Sequence, residues 1–490
     1  MSEPQTLVVG SGAGGLTLAL LLAKTGLPVT LVESQPEIGG YLRRFVRRGI
    51  SFDTGYHFSG GFDDLLGQML EMLGFRDRIR STPISNRIVL EEAGKDLLLP
   101  AGCRFSETAE TICSAFPDEA AGLHRLFDTI GQIWTTRPMA DLTDLTPLRW
   151  NISQYDGITV REFCDSLGLS CAAETAAGSF AACHGTPPGS APMNFHARIG
   201  FCLYDSLSRP FRGGDPMIAA FREQAAKYGI TIRTGKKLLR FDPPDTDGTC
   251  RTARFADGDS MEISQVFFTI HPRAVSELLP ENALTGHFLR RTLRMRETTS
   301  FFCVYYLVDE GIELPNGLIS YFSRNDLDSI LSMNGGYSTG FLTEREPDGA
   351  GIPHTVITAF RTMPAGQPEN LPGHRERLHD GAYLEFKQRT AAEITDDLIR
   401  ICPRLKGHLR IVETGSPLTC LDYDPPTGSA YGVQNICGQA RVSGQLPVKN
   451  FYLAGQSAGK PGIMGTMMTS FLVFRTVMGD AVYRRLTESS

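Results

Sequence analysis

The sequence lacks the features that would tie it to a metal, a disulfide framework or a nucleic acid. Its eleven cysteines include no C-x-x-C pair and no histidine-rich partner cluster. That spacing argues against a zinc site and a disulfide frame, and it suits reduced thiols. The formal net charge is only −6 over 490 residues, so no basic surface for nucleic acid is expected. We therefore predict no metal site and no nucleic-acid partner.

Long apolar runs are also missing. The stretch 16–23 is far shorter than the roughly 20 residues that a membrane-spanning helix needs. A glycine-rich motif that starts near residue 6 leaves little room for a signal peptide before it. We expect a cytoplasmic protein that contacts a membrane, if at all, only at the surface. The length allows two or three domains, and no solenoid repeat or low-complexity tract interrupts the chain.

The most informative segment that is present is residues 6–34, TLVVGSGAGGLTLALLLAKTGLPVTLVES. Two short apolar runs predict buried strands, and the apolar stretch between them predicts a helix. Gly10, Gly12 and Gly15 have G-x-G-x-x-G spacing. In that motif the first glycine permits a tight turn, the second lets a pyrophosphate approach the backbone, and the third lets helix and strand pack closely. Strand, turn, helix and strand together predict a dinucleotide site.

The acid at the end of the second strand refines this prediction. Glu33 follows Gly15 by 18 residues, where a carboxylate accepts hydrogen bonds from a ribose diol. An acid rather than an arginine here disfavours the 2′-phosphate of NADP. No second strand–G-x-G-x-x-G–helix unit follows, since the glycines of NGGYSTG at 334–340 lack flanking elements. We therefore expect one bound nucleotide, not separate FAD and NAD(P)H domains.

A block in the middle of the chain has two interpretations. Gly213 and Gly214 precede a predicted helix, and strands are expected at 230–233, 238–241 and 265–270. This unit could extend the first sheet, with the backbone near Leu238 beside an adenine. It could equally form a separate small α/β unit, and the residues alone leave both open.

The C-terminal block, KNFYLAGQSAGKPGIMGTMMTSFLVFRTVMGDAVYRRL, also has two interpretations. A buried strand is expected at 451–454, and a long apolar helix at about 465–482. The glycines before this helix would make its N-terminus a donor-rich, electropositive spot. Such a spot could stabilise an anionic reduced flavin, or the helix could serve packing alone.

These blocks together resemble one family. The chain is similar over nearly its full length to the FAD-dependent phytoene desaturases, carotenoid isomerases and retinol saturases, within the amine-oxidase-like flavoproteins. The resemblance is carried by the first fingerprint, by IGG at 38–40, GISFDTGYHFSGG at 49–61, SPLTCLDYDPPTGSAYG at 416–432 and FYLAGQSAGKPGIMG at 451–465. The FDTGYH and AGQ details resemble retinol saturases and carotenoid isomerases more than plain desaturases.

The resemblance implies an α/β fold with a discontinuous Rossmann-type FAD-binding domain and an inserted α+β substrate domain. The implied FAD-binding parts are 1–90, 206–271 and 414–490, and the substrate parts are 91–205 and 272–413. The family has an arginine directly after the GG pair, where this chain has Tyr41. The resemblance implies these cofactor-binding residues: Gly10, Ser11, Gly12, Ala13, Gly15, Glu33, Gly40, Tyr41, Arg43 or Arg44 in place of that arginine, Gly55, Leu238, Gly455, Gln456, Gly462, Ile463 and Met464.

The resemblance also implies the chemistry. His57 and Tyr56 would lie under the flavin ring, where His57 is suited to proton transfer near neutral pH or merely to hydrogen bonding. Tyr431 is a second candidate, with packing as the alternative, and His184 and His196 are expected to be structural. No charge pair or cationic clamp stands out that would require an anionic substrate.

The implied function is an FAD-dependent oxidoreductase acting on a C=C bond of a hydrophobic polyene, with reduction favoured. It would need an external electron donor or acceptor. Desaturation, cis–trans isomerisation and a flavin-stabilised lipid-binding scaffold without turnover are the alternatives.

Overall fold

The structure is a computed structural model of the chain. It describes residues 3–137, 139, 141–144, 153–366, 379–423, 426–439 and 442–488. Asp424 and Pro425 of the SPLTCLDYDPPTGSAYG motif therefore lie outside the described residues.

Nineteen strands form within the described residues. They are β1 (Gln5–Val9), β2 (Val29–Val32), β3 (Arg44–Arg47), β4 (Ile50–Asp53), β5 (Ser81–Pro83), β6 (Ser85–Leu90), β7 (Lys95–Leu99), β8 (Ser208–Pro210), β9 (Thr231–Arg233), β10 (Leu238–Phe241), β11 (Thr252–Phe255), β12 (Ser260–Phe268), β13 (Ser300–Val308), β14 (Gly317–Phe322), β15 (Ser338–Pro347), β16 (Pro353–Met363), β17 (Leu409–Gly415), β18 (Gly444–Gln445) and β19 (Phe451–Leu453).

Fifteen α-helices accompany them in the same described ranges. They are α1 (Ala13–Ala23), α2 (Leu65–Leu73), α3 (Phe105–Ala115), α4 (Ala120–Thr135), α5 (Val160–Ser166), α6 (Cys171–Ala177), α7 (Met193–Ser206), α8 (Asp215–Lys227), α9 (Pro272–Leu278), α10 (Gly286–Leu293), α11 (Leu327–Leu331), α12 (Gly381–Ile401), α13 (Pro417–Tyr423), α14 (Gly462–Met478) and α15 (Asp480–Glu488).

The first sheet collects strands from three distant parts of the chain. Its main order is β10-β11-β12-β1-β2-β9, and β19 pairs with β12 and with β18. The pairs β12–β1, β1–β2, β2–β9 and β12–β19 are parallel. Strands β1 and β2 are mostly apolar and almost entirely buried because parallel strands are covered on both faces. This is the Rossmann-type α/β sheet that the sequence predicts.

The second sheet has seven strands in the order β17-β13-β16-β15-β14-β6-β7. All its pairs are antiparallel except β14–β6. Helices α3 to α7 cover part of it, and together they form the α+β part of the molecule. The aromatic-rich strand β13 takes the second position of this sheet.

The middle block extends the first sheet, so the interpretation as a separate unit is wrong. Strand β9 pairs with β2 at one edge, and β10 joins through β11 and β12 at the other. The domain limits themselves stay a prediction. Strand β6 falls within the range 1–90 assigned to the first FAD-binding part, yet it pairs in the second sheet.

The head and the tail of the chain pack against each other. The Ser470 hydroxyl of α14 donates a hydrogen bond of 3.0 Å to the Gly14 carbonyl of α1. A side chain on Gly14 would come within 3.2 Å of the Gly455 Cα, so the two segments touch at backbone level. The expected single helix at 465–482 ends earlier, at Met478, because Gly479 takes a φ of +84° and a second helix follows.

Candidate functional site

One large cavity lies where α1, α14, the β3–β4 hairpin and the second sheet meet. Its volume is about 1470 Å³, above the roughly 300–1,000 Å³ of ordinary small-molecule sites. It therefore has room for a dinucleotide and a second molecule. Seventeen of the nineteen predicted site residues line it: Gly10, Ser11, Gly12, Ala13, Glu33, Gly40, Tyr41, Arg43, Arg44, Gly55, Tyr56, His57, Leu238, Gln456, Gly462, Ile463 and Met464.

The other two predicted residues, Gly15 and Gly455, lie behind the cavity wall. A Cβ on Gly15 would stand 1.9 Å from the Gly10 carbonyl oxygen, so only glycine fits where α1 packs on the turn. Gly455 takes a φ of +87° and would bring a Cβ within 3.2 Å of the Thr269 backbone. Both glycines shape the wall rather than face its contents.

The turn between β1 and α1 fits a pyrophosphate. Gly10 has a φ of +95°, and a Cβ on Gly12 would point into open space. The first N–H groups of α1 have no partner within the helix, and the helix dipole adds positive potential there. Gly40 packs over the same place, since its Cβ would come within 3.1 Å of the Gly12 Cα. This cradle of glycine backbone is what a phosphate group needs.

Glu33 holds the same turn. Its Oε2 accepts hydrogen bonds from the Ser11 amide at 3.0 Å and the Ser11 hydroxyl at 2.6 Å. Its Oε1 accepts from the Gln35 amide at 2.9 Å. The carboxylate lines the cavity as well, so it can still accept from a ribose hydroxyl.

The two arginines proposed to replace the family arginine have different surroundings. Arg44 is buried among carboxylates: its Nε lies 2.9 Å from Asp53 and its Nη2 2.7 Å from Glu346. Arg43 has a looser contact, 3.6 Å from the exposed Glu37 carboxylate, and its buried Nε makes no hydrogen bond in the structure. Arg43 is therefore the arginine with donors to spare for a phosphate.

The segment 54–57 forms the wall opposite the glycine cradle. Gly55 has no room for a side chain because Tyr41 packs within about 3.1 Å of where its Cβ would be. The Thr54 hydroxyl donates to the Arg43 carbonyl at 2.8 Å. These contacts tie the segment to the GG loop. The first turn of α14 also lines the cavity.

A buried ionic cluster supports this segment, and sequence reasoning did not find it. Arg209 donates to the His57 carbonyl at 3.1 Å and lies 2.6 Å from Asp53. It also pairs with Glu344. Together Arg44, Asp53, Arg209, Glu344 and Glu346 are each less than a tenth exposed at the side chain. Their positions span residues 44 to 346, and no local motif links them.

The cluster carries three carboxylates against two guanidiniums. Burial, with further repulsion from Asp53 and Glu346, raises the pKa of Glu344 to about 7 despite Arg209. Although burial opposes it, Arg209 with His57 and Arg44 holds the pKa of Asp53 below its ordinary value. One proton on Glu344 would balance the buried charge.

The two predicted catalytic residues differ in their readiness for proton transfer. The His57 Nδ1 lies 3.8 Å from Asp53, and its ring stacks on Phe360 with 4.9 Å between centroids and 4° between planes. The ring is thus held on the cavity wall beside an acid. Burial raises the pKa of Tyr56 well above its ordinary value, so its hydroxyl stays protonated and is a poorer acid than a histidine.

The rest of the cavity is rich in apolar and aromatic groups. Phe301, Tyr305 and Phe360 line it from the second sheet, and Tyr431 packs edge-on to Phe301 at 5.9 Å. His184 and His196 bond to each other at 3.1 Å in the core. Burial lowers the pKa of His196 to about 4. Both are structural, as expected.

A second polar region that the sequence did not suggest lies on the same cavity. Arg137 and Arg198 line it together with Trp134, Asp156 and Asn194. No cationic clamp stands out in the sequence, and these two arginines were not identified from it. Arg137 follows the end of α4 and Arg198 lies within α7, so linear spacing gives no signal of them.

No helix in the described ranges is long and apolar enough to cross a membrane. The strand, turn and helix pattern, the glycine cradle and the room for a second molecule all point to a nucleotide-dependent enzyme fold. Comparison with known proteins identifies which one.

The chain is 23% identical to the human all-trans-retinol 13,14-reductase, across 98% of this chain and 86% of that protein. It is 27% identical to a chloroplastic prolycopene isomerase of an Oncidium hybrid, but over only 31% of this chain and 26% of the other. A solved oxidoreductase from Methanosarcina mazei has the same fold, with a TM-score of 0.65, 14% identity and coverage of 96% and 100%. The family described as flavin containing amine oxidoreductase matches residues 13–465, and the chain belongs to that family of flavoproteins.

Proposed function

We propose that the chain is an FAD-dependent oxidoreductase that reduces a C=C bond of a hydrophobic polyene. The observation that carries this proposal is one continuous cavity. It joins the glycine cradle, across the Tyr56–His57 segment, to the part lined by Phe301, Tyr305 and Phe360, which we call the aromatic chamber. A nucleotide held at the cradle and an apolar molecule in the chamber would share one wall. Within that wall, His57 is the group suited to proton transfer.

FAD rather than FMN is supported by the adenosine end of the site. Glu33 ends β2 with a carboxylate on the cavity, and Leu238 lines the same part. FMN lacks the adenosine ribose that Glu33 would bind and the second phosphate that the α1 turn would hold. Arg43, with an unused Nε, would meet a phosphate oxygen.

A bound flavin supplies hydride transfer, which is the redox chemistry of the reaction. The protein contributes alignment, exclusion of water and a proton. Arg209 fixes the His57 carbonyl, Phe360 fixes the imidazole ring, and Asp53 stabilises the protonated ring. A hydride to one carbon and a proton from His57 to the other would saturate the double bond.

The retinol reductase relative, similar over nearly the whole chain, favours reduction. Cis–trans isomerisation is a second candidate because a stretch of the chain is similar to a prolycopene isomerase. Desaturation would run the same hydride in the other direction and needs an acceptor in place of a donor. An external electron donor, and peripheral contact with a membrane that holds the substrate, both remain part of the proposal.

The test is to reduce the flavin of the purified protein and to measure the mass of the products. The flavin-loaded protein is reduced without oxygen and mixed with all-trans-retinol, with lycopene or with a cis-lycopene, and the oxidised protein is tested in parallel. We expect a gain of two hydrogens with the reduced protein only. Loss of two hydrogens would instead indicate a desaturase, and unchanged mass with altered retention an isomerase.

His57→Gln separates the proton step from flavin binding. The variant should keep its flavin and its reduction by dithionite, while product formation falls about 10²–10⁴-fold, the usual contribution of a general acid. Unchanged turnover in this variant would remove His57 from the proposed chemistry. No product from any polyene would favour the lipid-binding scaffold.

A further inference from the structure

One face of α7 lines the cavity that includes the aromatic chamber. Asn194, Arg198 and Cys202 are spaced four residues apart, and all three lie on the cavity with Phe195 and Ile199. Residues four apart share one helix face. Arg198 is therefore presented to the cavity with apolar groups on its own helix around it.

Arg198 is partly buried and lacks the partner that a guanidinium inside a protein normally has. It makes no hydrogen bond, and no carboxylate lies within ion-pair distance in the described part of the chain, while its Nε is fully buried. Burial, with repulsion from Arg137, lowers the pKa of this guanidinium below its ordinary value although Asp156 lies near. An arginine stays charged even so, and a partly desolvated charge without a partner is costly.

The neighbouring acids are already engaged. The Asp156 Oδ1 accepts a hydrogen bond from Asn194, and its Oδ2 accepts from the Ser153 amide at 2.7 Å. Asp64 is taken by Arg137, at 3.2 Å, and by the Trp134 indole N–H, also at 3.2 Å. Arg137 is thus neutralised and Arg198 is not. The protein leaves one positive charge facing the chamber.

Arg198 lies one helical turn from a residue that neighbours the predicted flavin edge at Met464. Cys202, one turn further along α7, has its Sγ about 3.1 Å from where a Cβ of Gly61 would be, and Met464 is the next neighbour of that same point. One turn of four residues places Arg198 about 6 Å along the helix axis from Cys202. A head group at Arg198 would leave the remainder of a long apolar molecule within the aromatic chamber.

We propose that Arg198 binds the carboxylate of an amphipathic substrate, a long unsaturated chain that ends in an acid. This inference rests on the proposed function and names its substrate class more closely. The planar fork of a guanidinium matches a carboxylate in two parallel hydrogen bonds. A single free guanidinium suits one negative charge, and the nucleotide phosphates have their own donors in the glycine cradle and Arg43.

The test compares three ligands that share one polyene chain: all-trans-retinoic acid, its methyl ester and all-trans-retinol. Dissociation constants for the flavin-loaded protein are measured by quenching of tryptophan fluorescence, with Trp134 on the cavity as reporter. We expect the acid to bind about tenfold to a hundredfold more tightly than the ester, the value of charge-assisted hydrogen bonds in a desolvated site. Arg198→Gln should remove that preference and leave the alcohol and ester unchanged. Arg198→Lys should keep part of it.

Arg222→Gln, at an exposed position on α8, is the matched control and should bind all three ligands as the wild type does. Equal affinity of acid and ester in the wild type, or an unchanged preference in Arg198→Gln, would overturn the inference. Product masses from the same mixtures test the proposed function separately. Selective binding of the acid without any reduction would leave the inference standing and reject the reductase. Reduction of the alcohol without selective binding of the acid would support the reductase and reject the inference about Arg198.

Discussion

At the residue scale, backbone contacts in the fingerprint leave no room for side chains. Gly15 is the tightest case in the turn, because its Cβ would stand 1.9 Å from the Gly10 carbonyl oxygen. We expect Gly15→Ala to force α1 away from β1, to lower the free energy of unfolding by about 1–3 kcal/mol as overpacking does, and to reduce flavin retention. Flavin absorbance per chain and thermal unfolding measure both effects.

Gly381→Ala is the control for this substitution, since an added Cβ at the start of α12 meets nothing within 4 Å. It should keep its flavin and its stability. A Gly15→Ala protein that binds flavin as well as the control would contradict the packing described for the turn.

The buried cluster predicts a pH effect at Glu344. Its pKa of about 7 in the folded protein exceeds the ordinary 4.5, so the folded state binds the proton more tightly than the unfolded chain does. The associated stability is present at low pH and is lost as the pH rises from about 4.5 to 7. Glu344→Gln mimics the protonated form. The decrease in the free energy of unfolding across this pH range should therefore be smaller in the variant than in the wild type, by on the order of 1–3 kcal/mol.

Denaturant unfolding between pH 5 and 8 measures that slope. Glu385→Gln, exposed on α12, should follow the wild type. If the Glu344→Gln and wild-type curves were parallel across this range, the assignment of a shared proton to the cluster would fail.

Residues that act through a local motif could be predicted from the sequence, and residues that act through the fold could not. The glycine turn and Glu33 belong to a segment whose geometry is set within about thirty residues. Arg209 and Glu344 meet only because two sheets bring them together. The lack of a hydrogen-bond partner at the Arg198 Nε is a property of the folded chain and has no signal in the sequence.

At the element scale, the hairpin of β15 and β16 positions the predicted proton donor. Gly340 pairs with Phe360 across the hairpin, and a Cβ on Gly340 would stand 2.1 Å from the Phe360 ring. That ring stacks on His57. We expect Gly340→Ala to displace the ring and the imidazole, and to lower kcat by about tenfold to a hundredfold, with little change in flavin content.

Gly340→Ala combined with Phe360→Leu should recover part of kcat, because the smaller side chain makes room for the new methyl group. Gly349→Ala, in the turn of the same hairpin with nothing within 4 Å, is the control. Full activity in Gly340→Ala alone would mean that Phe360 does not hold His57.

Elements were easier to predict than their ends or partners. Strand β10 has the predicted bounds, and β9 and β19 are within one residue of theirs, since short apolar runs flanked by turns define strands well. The end of α14 was misjudged because apolar periodicity continues past Gly479, where the backbone turns. The middle block joins the first sheet through the pairing of β9 with β2 and of β10 with β11. Hydrophobic periodicity predicts strands but not which strands pair.

At the scale of the whole molecule, a cofactor should act as the tie between distant parts. Strands from residues 5–32, 231–268 and 444–453 share the first sheet, and the cavity touches all three parts. A ligand that binds only the folded state stabilises it in proportion to the logarithm of its concentration over Kd. The apoprotein should therefore unfold at a lower temperature than the flavin-loaded protein. The three parts of the chain that touch the cavity should unfold in one cooperative transition.

The most direct test of the account is the identity and amount of the released nucleotide. The purified protein is denatured, and the supernatant is separated and quantified against FAD and FMN. The structure predicts one FAD per chain, with weaker retention in Glu33→Gln, whose amide would replace the carboxylate at the ribose. A protein that carries only FMN, or that stays colourless after incubation with FAD, would contradict the account.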